Sequence, residues 1–487
     1  WYLLFLNRLA NYSIVVNGFF RVLSVIILLY LIRKDENSAY KIAWMILIMV
    51  IPLLGGILYV MIGNKKPGKK LAAKMAVVKD SMTDALKQNE DVLQEIEEQD
   101  ARVAGNIRYI GNYGPYPAWK NTTVEYFPVG EKMFDAMLKD LQAAKHYIYL
   151  EYFIIAEGVM WDMILEILER KVKEGVDVRL IYDDVGCVSL LPIHYTKIME
   201  SKGIKCMAFN RFVPFLSLAM NNRDHRKILV IDGHTAYNGG INLADEYINR
   251  KMRFGHWKDT GVRIHGEAVF NFSMMFLEMW NYINRSTEDY SRFLPSVYRE
   301  KEFTSDGFVQ PYGDSPLDNE NVGENIYLNI INRAKNYVYI FTPYLIIDHE
   351  MLICLSNAAK SGVDVRIVTP GVPDKKAVYL LTQSYYEPLL KNGVKIFQYT
   401  PGFIHAKCFV CDDEIATVGS VNLDYRSLFL HFECGVFMYR SKAVMQVKED
   451  CLRTFEESEE MDVSFCRRRR LPVRMVQSLM RLFAPLL

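Results

Sequence analysis

The pattern of apolar and charged positions divides the chain into distinct zones. Ile42–Ile62 is a run of 21 residues without a charge, bracketed by Lys41 and Lys65, with Trp44 and Tyr59 near its ends. At about 1.5 Å per residue such a run reaches roughly 30 Å, the hydrocarbon thickness of a bilayer, and it predicts a transmembrane helix. Ile14–Ile32 is apolar apart from Asn17 and Arg21. It reads as a second span, with an interfacial helix as the alternative because a mid-span arginine is costly. Residues 1–66 are thus expected to form a membrane hairpin. A cleaved signal peptide is disfavoured, since no small-residue cleavage site follows the first apolar run. Lys65, Lys66, Lys69, Lys70 and Lys74 outnumber Arg33, Lys34 and Lys41, which places everything after residue 63 in the cytoplasm of a multi-pass cell-membrane protein. The chain opens at Trp1 and not at Met, as expected of a sequence whose true start lies upstream.

Beyond the apolar runs the periodicity changes twice. Residues 67–106 mix alanine, long aliphatics and charges, ending in the acidic run Glu95–Asp100. This composition predicts a charged linker helix with a solvated face, terminated near Gly105 and the aromatic stretch Tyr109–Trp119. From residue 121 onward short β-branched and aromatic runs alternate with helical ones, and they recur. AKHYIYL at residues 144–150 returns as AKNYVYI at 334–340, and GVDVRLI at 175–181 as GVDVRIV at 362–368. Each GVDVR glycine follows a helical stretch and predicts a helix C-cap. Strands alternating with helices predict an α/β fold of two homologous domains, 107–310 and 311–465, each a mixed, largely parallel sheet flanked by helices. At the end, Arg467–Arg470 and Pro472 precede Val473, Val476, Met480 and Phe483 on one helical face. Residues 466–487 therefore predict a basic amphipathic helix, lying either on a membrane or against the catalytic core.

Inside the repeat one phrase carries the chemistry. His225, Lys227, Asp232, Gly239, Gly240 and Asn242 match His405, Lys407, Asp412, Gly419, Ser420 and Asn422, so both copies read H-x-K-x4-D-x6-G-[GS]-x-N. The apolar residues after each lysine have strand character, and a period of two puts His and Lys on one face. One histidine per half is an incomplete site, which locates the active centre at the interface between the halves. There one histidine serves as nucleophile and the other as general acid, and the two copies are too alike for the residues alone to assign the roles. Lys227, Lys407, Asn242 and Asn422 are candidates to bind phosphoryl oxygens. Gly240 and Ser420 are candidates for backbone approach to the phosphate. Asp232 and Asp412 complete the motifs, but their odd spacing from the histidines turns them to the opposite strand face, tying strand end to turn. Asp259 and Glu433 share an acid-x-Gly-Val setting after each motif and are the candidates to orient the histidine rings. Arg223, Arg226 and Arg426 flank the motifs as candidates to hold a second anionic headgroup.

These paired motifs, with NNRDHRKI, YTPGFIHAK and VGSVNLDYRS around them, resemble the phospholipase D superfamily, and with the N-terminal apolar runs they are most similar to the bacterial cardiolipin synthases. The resemblance implies a covalent phosphatidyl-histidine intermediate with His225 as nucleophile and His405 as acid. It also implies transfer between two phosphatidylglycerol molecules to give cardiolipin and glycerol. Phosphatidylglycerol, cardiolipin and an anionic membrane surface are then the expected partners. A water-accessible version of the same residues would act as a membrane-bound phospholipase D-type hydrolase or nuclease, and a non-catalytic membrane scaffold would not need both motifs intact.

Charge and cysteine content narrow the classes further. A net charge of +1 disfavours a nucleic-acid groove. No carboxylate-rich or His/Cys cluster is evident in the spacing, so neither a metal nor another cofactor is expected. The eight cysteines lack zinc-type quartet spacing, and Cys408 and Cys411 fall inside a predicted strand, which favours core packing in a reducing compartment.

Overall fold

The computed structural model describes the chain except residues 1–17, 20, 35–36, 64–68, 212–221, 300, 319 and 487. The first half holds strands β1 (Thr122–Phe127), β2 (Tyr147–Tyr152), β3 (Asp177–Asp183), β4 (Lys205–Phe209), β5 (Lys227–Ile231), β6 (Thr235–Gly239), β7 (His256–Lys258) and β8 (Gly261–Gly266). The second holds β9 (Phe308–Asp314), β10 (Tyr337–Phe341), β11 (Leu345–Ile346), β12 (Asp364–Pro370), β13 (Lys395–Tyr399), β14 (Gly402–Ile404), β15 (Cys408–Cys411), β16 (Ile415–Gly419), β17 (Leu423–Asp424), β18 (Glu433–Tyr439) and β19 (Ser458–Met461). The sheets run β1-β8-β6-β5-β2-β3-β4 and β9-β18-β16-β15-β10-β12-β13-β19, the same order twice with β19 added at one edge.

Both sheets are mixed, but the expectation of largely parallel pairing is corrected. Among the described strands two of six pairings in the first sheet are parallel, β2–β3 and β3–β4. Two of seven are parallel in the second, β10–β12 and β12–β13. Helical crossovers separate the parallel neighbours, whereas the motif strands β5 and β15 turn straight back into β6 and β16, and a tight turn joins only antiparallel strands. Alternation along the motif strands sorts side chains as a period of two requires. Ile228, Val230, Cys408 and Val410 enter a core between the halves, while Leu229 and Ile231 enter the outer core of the first half and Phe409 and Cys411 that of the second. The helix Val269–Asn284, buried along most of its length, fills the central core together with the helix Lys442–Glu456. Gly175 and Gly362 take φ of 91° and 96° just past their helices, as the predicted C-caps require. All eight cysteines are buried free thiols.

Three expectations about the flanking segments change. The apolar run Ile42–Ile62 is not one helix: Ser38–Val50 ends at Ile51 and Pro52 opens Pro52–Ile62. Proline has no N–H for the helical ladder, so the run breaks there. The two pieces fold back on each other, with Tyr40 Oη donating to Gly63 O at 2.7 Å. Among the described residues no helix is long and apolar enough to cross a membrane. Residues 21–33 are helical and pack Ile27 and Leu31 against Tyr40, Trp44, Ile48 and Tyr59; the start of the other predicted span, Lys65 and Lys66 lie outside the described residues.

The predicted linker is three helices, Lys69–Met82, Glu90–Gln99 and Ala101–Tyr113. The last passes through Gly105, since Asp100 caps it at Arg102 N and Val103 N and an apolar face holds it down. Met75, Val78 and Met82 join the central core, and Leu93, Ile96, Val103, Ile107 and Ile110 the outer core of the second half, so this segment is packed structure and not a spacer. The C-terminal helix Leu471–Phe483 packs on the second half by one face and leaves apolar residues exposed on another. Gln477 donates to Leu380 O at 3.0 Å and Met480 packs on the second half, while Leu471, Met475, Val476 and Leu479 stay exposed.

Asp232 and Asp412 explain how each motif strand ends. Asp232 accepts the backbone N–H groups of Lys145, His146 and Tyr147 at 2.7–2.8 Å, and Asp412 those of Lys335, Asn336 and Tyr337 at 2.7–2.9 Å. Both therefore tie the turn after a motif strand to the start of the neighbouring one. Asp232→Ala leaves three donors without their acceptor and should lower folding stability by about 3 kcal/mol, with Asp412→Ala close behind. Denaturant unfolding in detergent checks this, and wild-type midpoints in both variants would refute it.

Candidate active site

The two motif histidines lie just before β5 and β15, in segments that pair with the opposite half. His225 N–H donates to Phe432 O at 2.9 Å and Phe432 N–H returns to Arg223 O at 2.8 Å. Symmetrically, β14 pairs in parallel with β7, and His405 N–H donates to Lys258 O at 2.7 Å. Glu433 directly follows Phe432 and Asp259 directly follows Lys258, so this backbone pairing delivers each acid beside the histidine of the other half. His225 Nδ1 lies 2.8 and 3.0 Å from the Glu433 carboxylate oxygens, and His405 Nδ1 lies 2.6 Å from Asp259 Oδ2. Parity had separated the histidines from Asp232 and Asp412, and neither of those aspartates is bonded to a catalytic ring. The crossing between halves was not legible, because it rests on pairings far apart in the chain.

The residues around these pairs serve them in unequal ways. Lys407 Nζ lies 2.8 and 2.9 Å from the two ring nitrogens of His405, and Lys227 Nζ donates to His225 O and sits 5.5 Å from the Phe153 ring centroid. Gly240 is corrected from phosphate cradle to acid support. Its N–H is spent on Thr260 O at 3.0 Å, and a Cβ there would stand 2.1 Å from Asp259 Oδ1, so no side chain fits. Ser420 is corrected likewise, donating N–H to Cys434 O at 2.8 Å and its hydroxyl to Glu433 Oε2. Asn242 accepts from Ile154 N–H at 3.0 Å and donates to Tyr247 Oη at 2.7 Å, while Asn422 donates to Ser427 Oγ at 3.0 Å. Each asparagine thus braces the loop after its motif. Arg226 is buried against Glu151 and Asp224, and Arg223 against Asp183, which removes both as headgroup ligands; Arg426 is exposed.

Burial dominates the electrostatics. It holds His225 well below the ordinary imidazole range, helped by Lys227 and His431. It lowers His405 to about 4, with Lys407 adding and Asp259 opposing. Burial also brings Lys227 down to about 8 and Lys407 to about 7. The acids differ. Burial pushes Glu433 well up, whereas for Asp259 the same push is outweighed by the charges of His405 and Lys407, which leave it below its usual value.

His431 is the residue that sequence reading missed. Its ring lies 5.7 Å from that of His225, and neither nitrogen has a hydrogen-bond partner among the described residues. With His225 and Glu433 it forms a group close enough to hold a metal ion, where the spacing had suggested no such cluster. The surroundings do not suit a divalent cation. After burial, the charges of Arg426, Lys227, Arg223 and Lys375 push His431 down to about 3, and the same field repels any cation. Lys227 and Lys407, buried beside the histidines, suit this centre to an anion better than to a cation.

A duplicated α/β domain with one histidine, one lysine and one acid hydrogen-bonded to a histidine ring per half, assembled into one buried centre, defines a two-domain phospholipase D-type enzyme. Comparison with known proteins is more specific. The family model for the cardiolipin synthase phospholipase D-like domain matches residues 137–276 and 327–455, and one for a phospholipase D-nuclease N-terminal segment matches 22–64. A cardiolipin synthase of Alkalihalophilus pseudofirmus is 33% identical, covering 93% of this chain and 90% of the relative. One of Listeria innocua is 32% identical over 97% and 98%. An uncharacterised protein of Streptococcus mutans is 44% identical over 94% and 99%. The crystal structure of a phosphatidylserine synthase of Haemophilus influenzae shares the fold at a TM-score of 0.58 and 15% identity, covering 79% of this chain and 100% of that one. The chain belongs to the cardiolipin synthase family of the phospholipase D superfamily, and it is a phosphatidyltransferase.

Three histidines that bind protons weakly in the fold, buried His225 and His405 and mostly buried His431, link stability to pH. Their unfolded counterparts take up protons near the ordinary imidazole value of 6.5, while folded His405 does so only near 4. Over that window the unfolded chain binds more protons, so stability is full above about pH 6.5 and falls as pH drops toward 4. His431→Asn should flatten this fall, read as unfolding midpoint against pH. An unchanged slope would contradict the assignment of His431 as a histidine held neutral by the fold.

Proposed function

We propose that the protein transfers a phosphatidyl group between two phosphatidylglycerol molecules, giving cardiolipin and glycerol, through a phosphatidyl-histidine intermediate. The observation that carries this reading is the pair of crossed contacts, which gives each histidine its own acid at the boundary between the halves. His225, with Nδ1 turned to Glu433, presents its other nitrogen to phosphorus. His405 gives its proton to the departing glycerol oxygen as the phosphorus–oxygen bond breaks and the phosphorus–nitrogen bond forms. The hydroxyl of a second phosphatidylglycerol then enters, loses its proton to His405 and attacks the same phosphorus, and His225 leaves.

The unequal acids support this division of labour. Asp259 keeps its charge beside His405, so a proton is held better there than on His225 beside Glu433. A bound phosphodiester adds negative charge that raises both histidines from their depressed values and restores the ammonium forms of Lys227 and Lys407. Lys227 and Lys407 then neutralise the phosphoryl oxygens, with the bracing amides of Asn242 and Asn422 close by. The apolar helices at both chain ends hold the enzyme in the cell membrane with the catalytic halves on the cytoplasmic side. Their exposed apolar residues support transfer between lipids over hydrolysis.

Mass spectrometry of phosphatidylglycerol vesicles incubated with the purified chain tests the reading: cardiolipin and glycerol are expected, and phosphatidic acid alone would indicate a hydrolase. His225→Ala and His405→Ala should each lower transfer by at least about 10²-fold. Asp259→Asn and Glu433→Gln should lower it by up to about 10⁴-fold, as a lost ring-orienting acid does elsewhere. Turnover should survive exhaustive chelation, and loss restored by one specific divalent ion would contradict the proposal.

A further inference from the structure

The proposed reaction needs two lipids, and the motifs account for the phosphate of one. A groove of about 320 Å³ runs between the C-terminal helix and the helix Lys376–Thr382, with Ile346, Val378, Leu381 and Met480 among its walls. That volume is at the low end for ligand sites and suits a segment of one acyl chain better than a whole two-chain lipid. The lining is mostly apolar, yet Lys375 and Arg426 stand in it, both exposed. Lys375 Nζ lies 6.0 Å from the Tyr344 ring centroid, and Arg426 belongs to the short helix that follows Asp424.

A short chain of packed rings links the groove wall to a motif histidine. Tyr344, in its wall, has its ring 6.5 Å from Phe403, which lies 5.9 Å from His405. On the other side Arg426 and Lys375 act electrostatically on His431, whose ring lies 5.7 Å from that of His225. One wall is the C-terminal helix, whose outer face exposes Leu471, Met475, Val476 and Leu479. A groove roofed by such a helix opens where lipid is available.

We propose that this groove is the acceptor-lipid site: an acyl chain of the second phospholipid lies along Val378, Leu381 and Met480, and its phosphate is held at the mouth by Lys375 and Arg426. The apolar wall takes the chain, the two cations take the anionic headgroup, and the glycerol hydroxyl then reaches inward past Tyr344 and Phe403 toward His405. The donor lipid, fixed by Lys227 and Lys407, does not need the groove. This inference rests on the transferase reading, and its test separates the two.

Val378 is half-buried, so Val378→Trp fills the groove without emptying a core position. Full-length enzyme in mixed micelles of phosphatidylglycerol is given isotopically labelled glycerol, and two products are measured together: cardiolipin, and labelled phosphatidylglycerol made by exchange with the water-soluble acceptor. Both use the same histidines, but only the first uses a lipid acceptor. The ratio of cardiolipin to exchange product should fall at least tenfold in Val378→Trp and in the double variant Lys375→Ala with Arg426→Ala. An unchanged ratio overturns the proposal, and so does an equal loss of both products, which would assign the groove to the donor. Should Val378→Trp fail to fold, phosphatidylglycerol carrying a photoreactive group in mid-chain replaces it. On wild type the label should fall on residues 375–381 and 477–484, and label confined elsewhere overturns the site. Wild type that exchanges glycerol but makes no cardiolipin fails the transferase reading instead, and with it the groove loses its acceptor.

Discussion

Each half of this enzyme is completed by the other through a contact a few ångströms long. The acid that orients His225 belongs to the second half, and the acid that orients His405 belongs to the first. Neither placement depends on side-chain reach alone. Backbone pairing between the halves, at Asp224 with Phe432 and at β14 with β7, sets the carboxylates where they are. The same strip carries a buried ion pair across the boundary, Lys258 to Asp450 at 2.9 Å, with Tyr126 Oη donating to that aspartate at 2.7 Å. Burying charges costs several kcal/mol each unless they are paired, and the contacts across the boundary pair His225 with Glu433, His405 with Asp259 and Lys258 with Asp450. Separated halves would each keep a histidine without its acid.

Duplication provides two near-copies, and small departures make them different. Asp259 is short and faces Gly240, where a side chain would clash; Glu433 is longer and takes the hydroxyl of Ser420. The two substitutions are coupled, since each residue of the G-[GS] pair is fitted to the acid it faces. Their electrostatic outcome differs as well, with one carboxylate held charged and the other pushed toward neutrality by burial. A symmetric scaffold in this way carries two unequal acids.

Much of this was legible in the sequence where local rules apply. The repeated motif grouped His225 with Lys227 and His405 with Lys407, and the repeated GVDVR phrase marked real helix caps; Asp232 and Asp412 are kept off the rings by the left-handed turns that follow each strand. The repeat itself gave two homologous α/β halves. What escaped depended on contacts distant in the chain. The phosphate role read into Gly240 and Ser420 failed because their N–H groups are consumed by strand pairing. Arg226 looked available until Glu151 and Asp224 closed around it. His431 carries no motif, and only the fold brings it to His225. The uncharged run Ile42–Ile62 satisfied the length rule for a span, but Pro52 outweighed hydropathy and folded it into two short helices.

Selective ¹⁵N-histidine NMR of the full chain in detergent reads the crossed contacts most directly, since ring-nitrogen shifts report which nitrogen carries the proton and what accepts it. Glu433→Gln should move the ring signals of His225 and leave those of His405 near wild type, and Asp259→Asn should do the reverse. Movement of His225 by Asp259→Asn, or equal movement of both rings by either substitution, would contradict an active centre in which each half orients the histidine of the other.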